Sequence, residues 1–340
     1  MEKPCFAGDY GVIPTAFLQL QSITNATELL WSKDWERLLR LCGEEERMID
    51  TRASDYERFA ALCRAYPKLT GHPMKQYLQA FLKAHFPALP EPSPDTCEHL
   101  WREIANALAE RDCTPRDFLC RTPMFCLVSE PTSCALPSHL RPLPDAEMLL
   151  HTSARTYRDW STYIENLLEA FLQKGARAVR ILLDSSYTFV LPDVYHVEKA
   201  LSRVGGVGER NLLLSQLFRE LCAACRKYTV ELFIEADCAP AEAVALVRYA
   251  QKSVGLPILS WCAQGDTAAA LIAFQSDAAR ETITRSLRTR DALTEEALRQ
   301  TITEEAQRYP LGCMRFLTAQ DLRFSTFEQE RVWKVLQKSF

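Results

Sequence analysis

The stretch Tyr228–Asp237, which reads YTVELFIEAD, constrains the fold of this chain more than any other feature. It packs residues that favour β-structure into a short run and ends in acidic side chains. Residues 209–227 before it and 241–252 after it are apolar at helical spacing,. This helix, strand, helix order predicts a parallel sheet, in which ligands bind beyond the carboxyl ends of the strands. The acidic side chains that would then lie near a site are Glu231, Glu235 and Asp237.

Helices and strands alternate over the last two thirds of the chain. Strands are predicted at residues 124–128, 178–183, 228–237, 257–261 and 312–316,. A loop that contains His139 and Asp145 is predicted after the first of them, and a charged helix over residues 280–309. The alternation favours a (β/α)8 barrel of the TIM type, degenerate in that some strands are weak or missing. A dinucleotide-binding sheet is disfavoured, because the glycine cluster at 205–208 follows no strand,.

The first third of the chain has a different pattern, which is helical from residue 24 to residue 119. Residues 27–41 predict one helix, and Ser54 with Glu57 has the spacing of a capping box at the start of another,. A proline-rich link at residues 87–94 separates later helices,. The chain is therefore divided into an N-terminal segment with the first barrel strand (1–23), a helical insertion (24–119) and the remainder of the barrel (120–340).

The composition excludes several classes of function. Charged residues make up 25% of the 340 residues and hydrophobic ones 47%, which are globular values,. The net charge of -4 gives no electrostatic case for nucleic acid or an anionic membrane as a partner,. The sequence has no signal-peptide pattern and no apolar run of about 20 residues, so we predict a soluble, cytoplasmic protein,.

The 13 cysteines are odd in number, scattered and set mostly among apolar residues. This pattern predicts reduced thiols rather than a disulfide framework. Cys222 and Cys225 form a CxxC inside a helical pattern, with no second pair at zinc-site spacing. A place in the core is therefore favoured over a redox or metal role for this pair.

Several short motifs follow one another in a particular order along the chain. They are Asp9-Tyr10, Trp35 with Arg37, Arg141-Pro142 with Asp145, Val230–Ile234 and Leu317-Thr318. In this order and spacing they resemble motifs of the uronate (glucuronate) isomerase family, a group of metal-assisted barrels related to the amidohydrolases. The chain resembles a divergent member, shortened before the last strand. The resemblance implies a barrel fold and a role in carbohydrate metabolism.

The resemblance also implies an activity. Family members interconvert hexuronates, such as glucuronate and galacturonate, with their keto forms by moving a proton between C2 and C1. This is an intramolecular oxidoreduction of the aldose–ketose type. A divalent metal is expected to polarise the sugar oxygens and arginines to bind the carboxylate, because charge developing on an enediol needs a preorganised cation.

Four residues are candidates for substrate binding by this resemblance, and no catalytic residue is assigned. Arg37 and Arg141 match arginines of the family motifs, Asp145 belongs to the motif of Arg141, and Glu231 stands where the family has glutamine. The alternatives are a surface ion pair of Arg37 with Glu36 or a nearby acid, and a loop salt bridge between Arg141 and Asp145. Glu231 can act as an acid or base if it is buried, and the alternative is that it faces outward.

The family's metal ligands are not matched by this chain. The corresponding positions hold Gly11, Ile13, Phe233 and Ala319. None of these side chains can bind Zn or Mn. We therefore expect no cofactor, and a divalent metal only if an active enzyme uses a relocated site.

Three hypotheses follow. The first is a uronate isomerase-like pseudoenzyme that lacks the metal site and binds a sugar acid or a protein partner, or serves structurally. The second is an active hexuronate aldose–ketose isomerase with a relocated metal or none. The third is a helical interaction module unrelated to sugars. The predicted partners are a hexuronate or another sugar acid and, for a homo-oligomer, a second copy of the chain.

Overall fold

The computed structural model of the chain describes residues 10–12, 15–50, 52–119, 124–128, 136–202, 206–263, 266–267, 270–271, 283–288, 294–308, 314–317 and 323–339. Its strands are β1 (Tyr10–Val12), β2 (Met124–Val128), β3 (Leu140–Pro144), β4 (Ala178–Leu183), β5 (Glu231–Ala236), β6 (Leu259–Ala263), β7 (Ile283–Arg288) and β8 (Met314–Leu317). Strands β1 to β3 pair in chain order and in parallel, and so do β4 to β8. A backbone bridge between Asp145 and Arg180 links the two sheets. The chain is thus an α/β protein with parallel sheets, as predicted.

Helices separate most of these strands. Between β1 and β2 lie α1 (Thr15–Gln19), α2 (Ala26–Leu30), α3 (Lys33–Leu41), α4 (Asp55–Ala65), α5 (Pro73–His85) and α6 (Cys97–Arg111). Later in the chain come α7 (Tyr157–Gln173), α8 (Val194–Leu201), α9 (Val207–Tyr228), α10 (Pro240–Ser253), α11 (Glu295–Arg308) and α12 (Ser325–Ser339). The sequence also predicts a helix from residue 265 to residue 274, and most of these residues lie outside the described ones,. No helix of the described ranges is long and apolar enough to cross a membrane.

The helices between β1 and β2 build a core of their own. Trp35, Phe59 and Phe81 are among its fully buried side chains. β1 nevertheless pairs directly with β2, so these helices are inserted between two neighbouring strands. Phe324, far along the chain, completes this core with its ring 5.3 Å from that of Phe81. The Ser54–Glu57 capping box predicted at the start of α4 is present.

One helix predicted over residues 27–41 is two helices in the structure. The chain leaves helical geometry at Trp31, whose ψ is 137°. The break frees the backbone carbonyls of Leu29 and Trp31, and the buried guanidinium of Arg323 donates to both. Because buried carbonyls need donors, Arg323 stabilises the break that the local pattern does not reveal.

The loop predicted around Asp145 is wrong, because β3 runs through it with two prolines, Pro142 and Pro144. The Asp145 N–H donates to Val128 of β2. Backbone N–H groups alternate between the two sides of a strand. Pro142 and Pro144 lie an odd number of residues before Asp145, so their nitrogens face away from β2. On that side the pairing is the isolated bridge to Arg180, and strand prolines are tolerated where no ladder bond is required,.

The charged helix predicted over residues 280–309 is wrong in its first part. β7 (Ile283–Arg288) pairs with both β6 and β8, and α11 begins only at Glu295. Within ITRSLR the β-branched residues Ile283 and Thr284 favour a strand. Two neighbouring strands therefore override the helical tendency of a charged sequence.

The two faces of the sheet around β5 have different surroundings. On one face Ile181, Ile234 and Trp261 are buried in a core that includes residues of α7, α9 and α10. The opposite face of β3 to β6, called the inner face below, carries a smaller apolar cluster that contains Ala178 and Phe233. Because side chains alternate along a strand, every second residue of β4 and β5 belongs to this inner face.

The cysteines of the described ranges are thiols, in agreement with the prediction. Cys222 and Cys225 are both buried on α9. Burial raises the pKa of the Cys222 thiol and raises that of Cys225 to about 12. The CxxC therefore belongs to the core, as its sequence context indicates.

Candidate functional site

Three charged side chains meet on the inner face near the carboxyl ends of β3, β4 and β5. The Arg180 guanidinium lies 2.7 Å from Asp145 Oδ2 and forms a second ion pair with Glu235 Oε2. The exposed fraction of the side chain is 9% for Arg180, 0% for Glu235 and 20% for Asp145. A buried charge is stable only when it is paired and hydrogen-bonded, so the three groups depend on one another. We call them the Arg180 triad.

Strand register brings the Arg180 triad together. Arg180 is the third residue of AVRILL and is bridged to Asp145, which directly follows β3. Glu235 is the fifth residue of ELFIEA and lies opposite Leu182, two residues beyond Arg180. Asp145 also accepts a hydrogen bond from the Glu147 N–H and so caps the 3-10 turn after β3.

Phe233 lies on the inner face of β5, two residues before Glu235. Its side chain is fully buried, and its ring packs 6.1 Å from that of Phe125 at an interplanar angle of 64°. Leu143 and Ala178 complete this apolar layer. Phe233 is the position at which the family resemblance expects a histidine, so packing takes the place of a ligand there.

The four predicted substrate-binding residues do not come together. Asp145 belongs to the Arg180 triad, whereas Arg141 is exposed near the amino end of β3, about 13 Å back along the strand,. Glu231 begins β5, is half-buried and accepts a hydrogen bond from the Ser260 hydroxyl. Arg37 is exposed on α3 in the helical insertion.

Within the described side chains, Glu36 and Asp145 pair with arginines other than the two that were predicted. Asp145 pairs with Arg180 rather than with Arg141. Glu36 interacts with Arg40, at 3.9 Å, rather than with Arg37. The substrate-binding roles of these residues therefore stay predictions.

The described residues do not fit a divalent metal of the kind that the family resemblance implies. Gly11 is buried in β1 and has no side chain to offer, and Phe233 is apolar. Ile13 and Ala319 lie outside the described residues. Within the described ranges no three His, Cys, Asp or Glu side chains form a group suited to a metal ion. The carboxylates of Asp145 and Glu235 on the inner face are both paired with the guanidinium of Arg180.

A second cluster of charges lies beside the Arg180 triad, where β4 ends. Arg210 of α9 binds Asp184, the residue after β4, at 2.8 Å and Glu147 at 3.4 Å. Hydrogen bonds from Ser186, and then the charge of Arg210, hold the pKa of Asp184 below its ordinary value. A cavity of about 240 Å³, called the Arg210 cavity, opens here. It is lined by Glu147, Leu150, His151, Gly206, Val207, Glu209, Arg210 and Leu213.

Part of the chain matches a known protein family. A family model described as glucuronate isomerase matches residues 14–180, which include three of the four predicted substrate-binding residues and Arg180. Over residues 14–180, about half of the chain, the sequence is that of the uronate isomerase family. This confirms the resemblance drawn from the motif order.

Curated uronate isomerases match only part of the chain. The enzyme of Thermotoga neapolitana is 27% identical over 152 residues, which cover 40% of this chain and 32% of that protein. The uronate isomerase of Lactococcus lactis subsp. cremoris is 27% identical over 209 residues, which cover 52% of this chain and 44% of that protein. The chain thus matches a third to a half of the length of these uronate isomerases.

Solved structures extend the likeness in fold over nearly the whole chain. A crystal structure of uronate isomerase from Thermotoga maritima matches 98% of this chain and 87% of its own, with a TM-score of 0.75 and 13% identity. Glucuronate isomerase from Caulobacter crescentus matches with a TM-score of 0.69, also at 13% identity. The fold of a uronate isomerase is therefore kept while most of the sequence has changed.

Sequence reasoning did not assign Arg180 or Arg210 to a site, and it placed Glu235 near a site without giving it a role. The signal for Arg180 and Glu235 is a charged residue inside each of two apolar strands, AVRILL and ELFIEA. Buried charges require partners, so two opposite charges in neighbouring strands predict an ion pair. Arg210 carries no comparable signal, because it lies in the first turn of a helix among polar residues.

Proposed function

We propose that this protein is a uronate isomerase family member that binds a hexuronate or a related sugar acid without running the metal-dependent isomerisation. The observation that carries the proposal is the Arg180 triad. A guanidinium provides the positive charge between Asp145 and Glu235 at the strand ends. A divalent metal bound by Asp145 and Glu235 would have to displace this buried cation from both carboxylates, which is costly for a buried ion network,. The protein is thus a pseudoenzyme with respect to that reaction.

We further propose that the strands close into a degenerate (β/α)8 barrel with β8 beside β1 and with residues 24–119 inserted as a helical subdomain. The parallel pairing of the strands in chain order supports this closure. The fold likeness to uronate isomerases over 98% of the chain supports it too. A cytoplasmic location and a homo-oligomer stay predictions.

We assign sugar-acid binding to the Arg210 cavity. Arg210 uses part of its five-donor fork on Asp184 and Glu147, and 31% of its side chain is exposed,. Its remaining donors suit the planar carboxylate of a sugar acid, which arginine binds bidentately. The carboxylates of Glu147 and Glu209 on the same wall can accept hydrogen bonds from sugar hydroxyls,.

Calorimetric titration with glucuronate tests this assignment. We expect binding in the millimolar range that is unchanged by a chelator, and a loss of about tenfold or more in Arg210→Met, because a hydrogen bond to a charged group contributes about 1.5–3 kcal/mol. Arg177→Met is the matched control, since Arg177 is exposed and does not line the cavity, and Arg37→Ala and Arg141→Ala test the two arginines predicted from the sequence. An affinity that falls in Arg141→Ala but not in Arg210→Met would move the site to Arg141. No heat at millimolar glucuronate would overturn sugar-acid binding.

The alternative is an active hexuronate isomerase that uses a relocated metal or none. The observation that favours it is the pair of carboxylates, Asp145 and Glu235, on either side of one cation at the strand ends. Such groups can move protons during an isomerisation while the cation stabilises the enediol. A steady rate of hexuronate turnover separates this function from the first.

A further inference from the structure

Negative charge exceeds positive charge among the described residues that line the Arg210 cavity. The carboxylates of Glu147 and Glu209 line it together with a single guanidinium, that of Arg210. Asp184 binds the same guanidinium from the end of β4, at 2.8 Å. Hydrogen bonds from Ser186 hold the pKa of Asp184 below its ordinary value, so this carboxylate is also ionised at neutral pH. A ligand that carries only a carboxylate must therefore bind Arg210 against the repulsion of three acids.

The two lining carboxylates can accept further hydrogen bonds from a cationic donor. Glu209 Oε2 accepts from the Gly206 N–H at 3.3 Å. Glu147 lies 3.4 Å from Arg210, which is longer than a strong charge-assisted hydrogen bond, and 48% of its side chain is exposed,. A carboxylate has about four acceptor sites, so both groups can also bind an ammonium that enters the cavity.

The rest of the lining suits a single sugar ring. Leu150 and Leu213 line the cavity and are themselves buried, with exposed fractions of 6% and 2%. The cavity volume of about 240 Å³ lies near the small end of small-molecule sites,. The C–H face of one ring can pack on these leucines while its polar substituents reach the charged groups. His151 adds a ring nitrogen that can donate to or accept from a sugar hydroxyl,.

We propose that the ligand of the Arg210 cavity is an amino sugar acid, a hexuronate with an ammonium group on its ring, an assignment that rests on the sugar-acid binding proposed above. Arg210 binds the carboxylate of this ligand, because its planar fork matches a carboxylate. Glu147 and Glu209 accept hydrogen bonds from the ammonium. The positive charge of the ligand thereby offsets the excess of acids around Arg210, which a plain hexuronate cannot do.

Calorimetric titration of the whole protein with a set of related sugars tests the proposal. At about pH 6.5, where an amine stays protonated, glucosaminuronate should bind about fivefold or more tightly than glucuronate. Its N-acetyl derivative, in which the nitrogen is uncharged, should lose this advantage. Glucosamine, which has the ammonium but no carboxylate, should bind more weakly than glucosaminuronate.

Substitution of the lining acids should affect the two sugar acids in opposite directions. Glu147→Gln and Glu209→Gln should each weaken glucosaminuronate by about two- to fivefold and strengthen glucuronate, because removing a negative charge disfavours a cation and favours an anion. Glutamine at position 209 can still accept from the Gly206 N–H. The matched control is Glu110→Gln, on the exposed surface of α6, which should change neither affinity. A purely structural effect of the variants would change both affinities in the same direction.

The outcomes separate this proposal from sugar-acid binding itself. Equal affinities for glucosaminuronate and glucuronate, both lowered in Arg210→Met, would overturn the amino sugar acid and leave sugar-acid binding in place. Absence of heat with either ligand would overturn both. Glucosamine that binds as tightly as glucosaminuronate would show that the carboxylate is not recognised, and would overturn the proposal together with the assignment of the carboxylate to Arg210.

Discussion

Replacing Arg180 by methionine is expected to lower the free energy of unfolding by about 3–5 kcal/mol, because it removes the guanidinium that is paired with the buried Glu235,. Glu235 has no exposed side-chain surface, and Asp145 is only 20% exposed. Methionine keeps an unbranched, flexible stem in place of the arginine stem, so the loss of charge should dominate over the loss of packing. Urea unfolding of wild type and variant measures the difference.

A matched control lies three residues earlier. Arg177 directly precedes β4 and is exposed, and Arg177→Met should change the free energy of unfolding by no more than about 0.5 kcal/mol,. Adding Glu235→Gln to Arg180→Met should recover part of the loss, since a neutral amide is less costly to bury than a carboxylate that has lost this guanidinium. Equal stability of Arg180→Met and Arg177→Met would contradict the buried ion network.

The second large effect concerns turnover. We expect the protein to isomerise glucuronate and galacturonate at least about 10³-fold more slowly than the uronate isomerase of Thermotoga maritima assayed beside it. A metal acting as a Lewis acid contributes several kcal/mol to the transition state, and each 1.36 kcal/mol corresponds to about tenfold in rate. Here the described strand ends carry Phe233 and the Arg180 triad instead.

The assay follows the keto product by NMR with added Mn or Zn and again with a chelator. Neither addition should change the rate. A steady rate that rises with metal and is abolished in Arg37→Ala would contradict the pseudoenzyme account and favour the active isomerase. A steady rate insensitive to both additions would favour isomerisation without a metal.

Regular strands were predictable from sequence because local propensity and tertiary environment agree there. Residues 178–183 form β4 at the predicted bounds. The stretch that begins at Tyr228 was predicted to be a strand from its first residue, yet Tyr228 ends α9 and Thr229 is left-handed at φ 55°. The strand therefore begins only at Glu231, because a left-handed residue is needed to turn the chain out of the helix,.

Features fixed by distant contacts were not predictable in this way. The sequence of β3 resembles a loop because it contains two prolines. A strand can hold prolines here because its edge toward β4 is weakly paired, which the sequence alone does not show. The break after Leu30 depends on Arg323, which is almost 300 residues away in the chain. The Arg180 triad depends on the register of three strands, whereas the absence of histidine at Phe233 was read from the sequence directly.

The central claim is that a guanidinium, not a metal ion, provides the positive charge at the strand ends. The most direct test is elemental analysis of the purified protein for Zn, Mn and Fe after incubation with these ions and gel filtration. We expect far less than one metal ion per chain. About one tightly bound ion per chain, lost in a variant of Asp145 or Glu235, would contradict it.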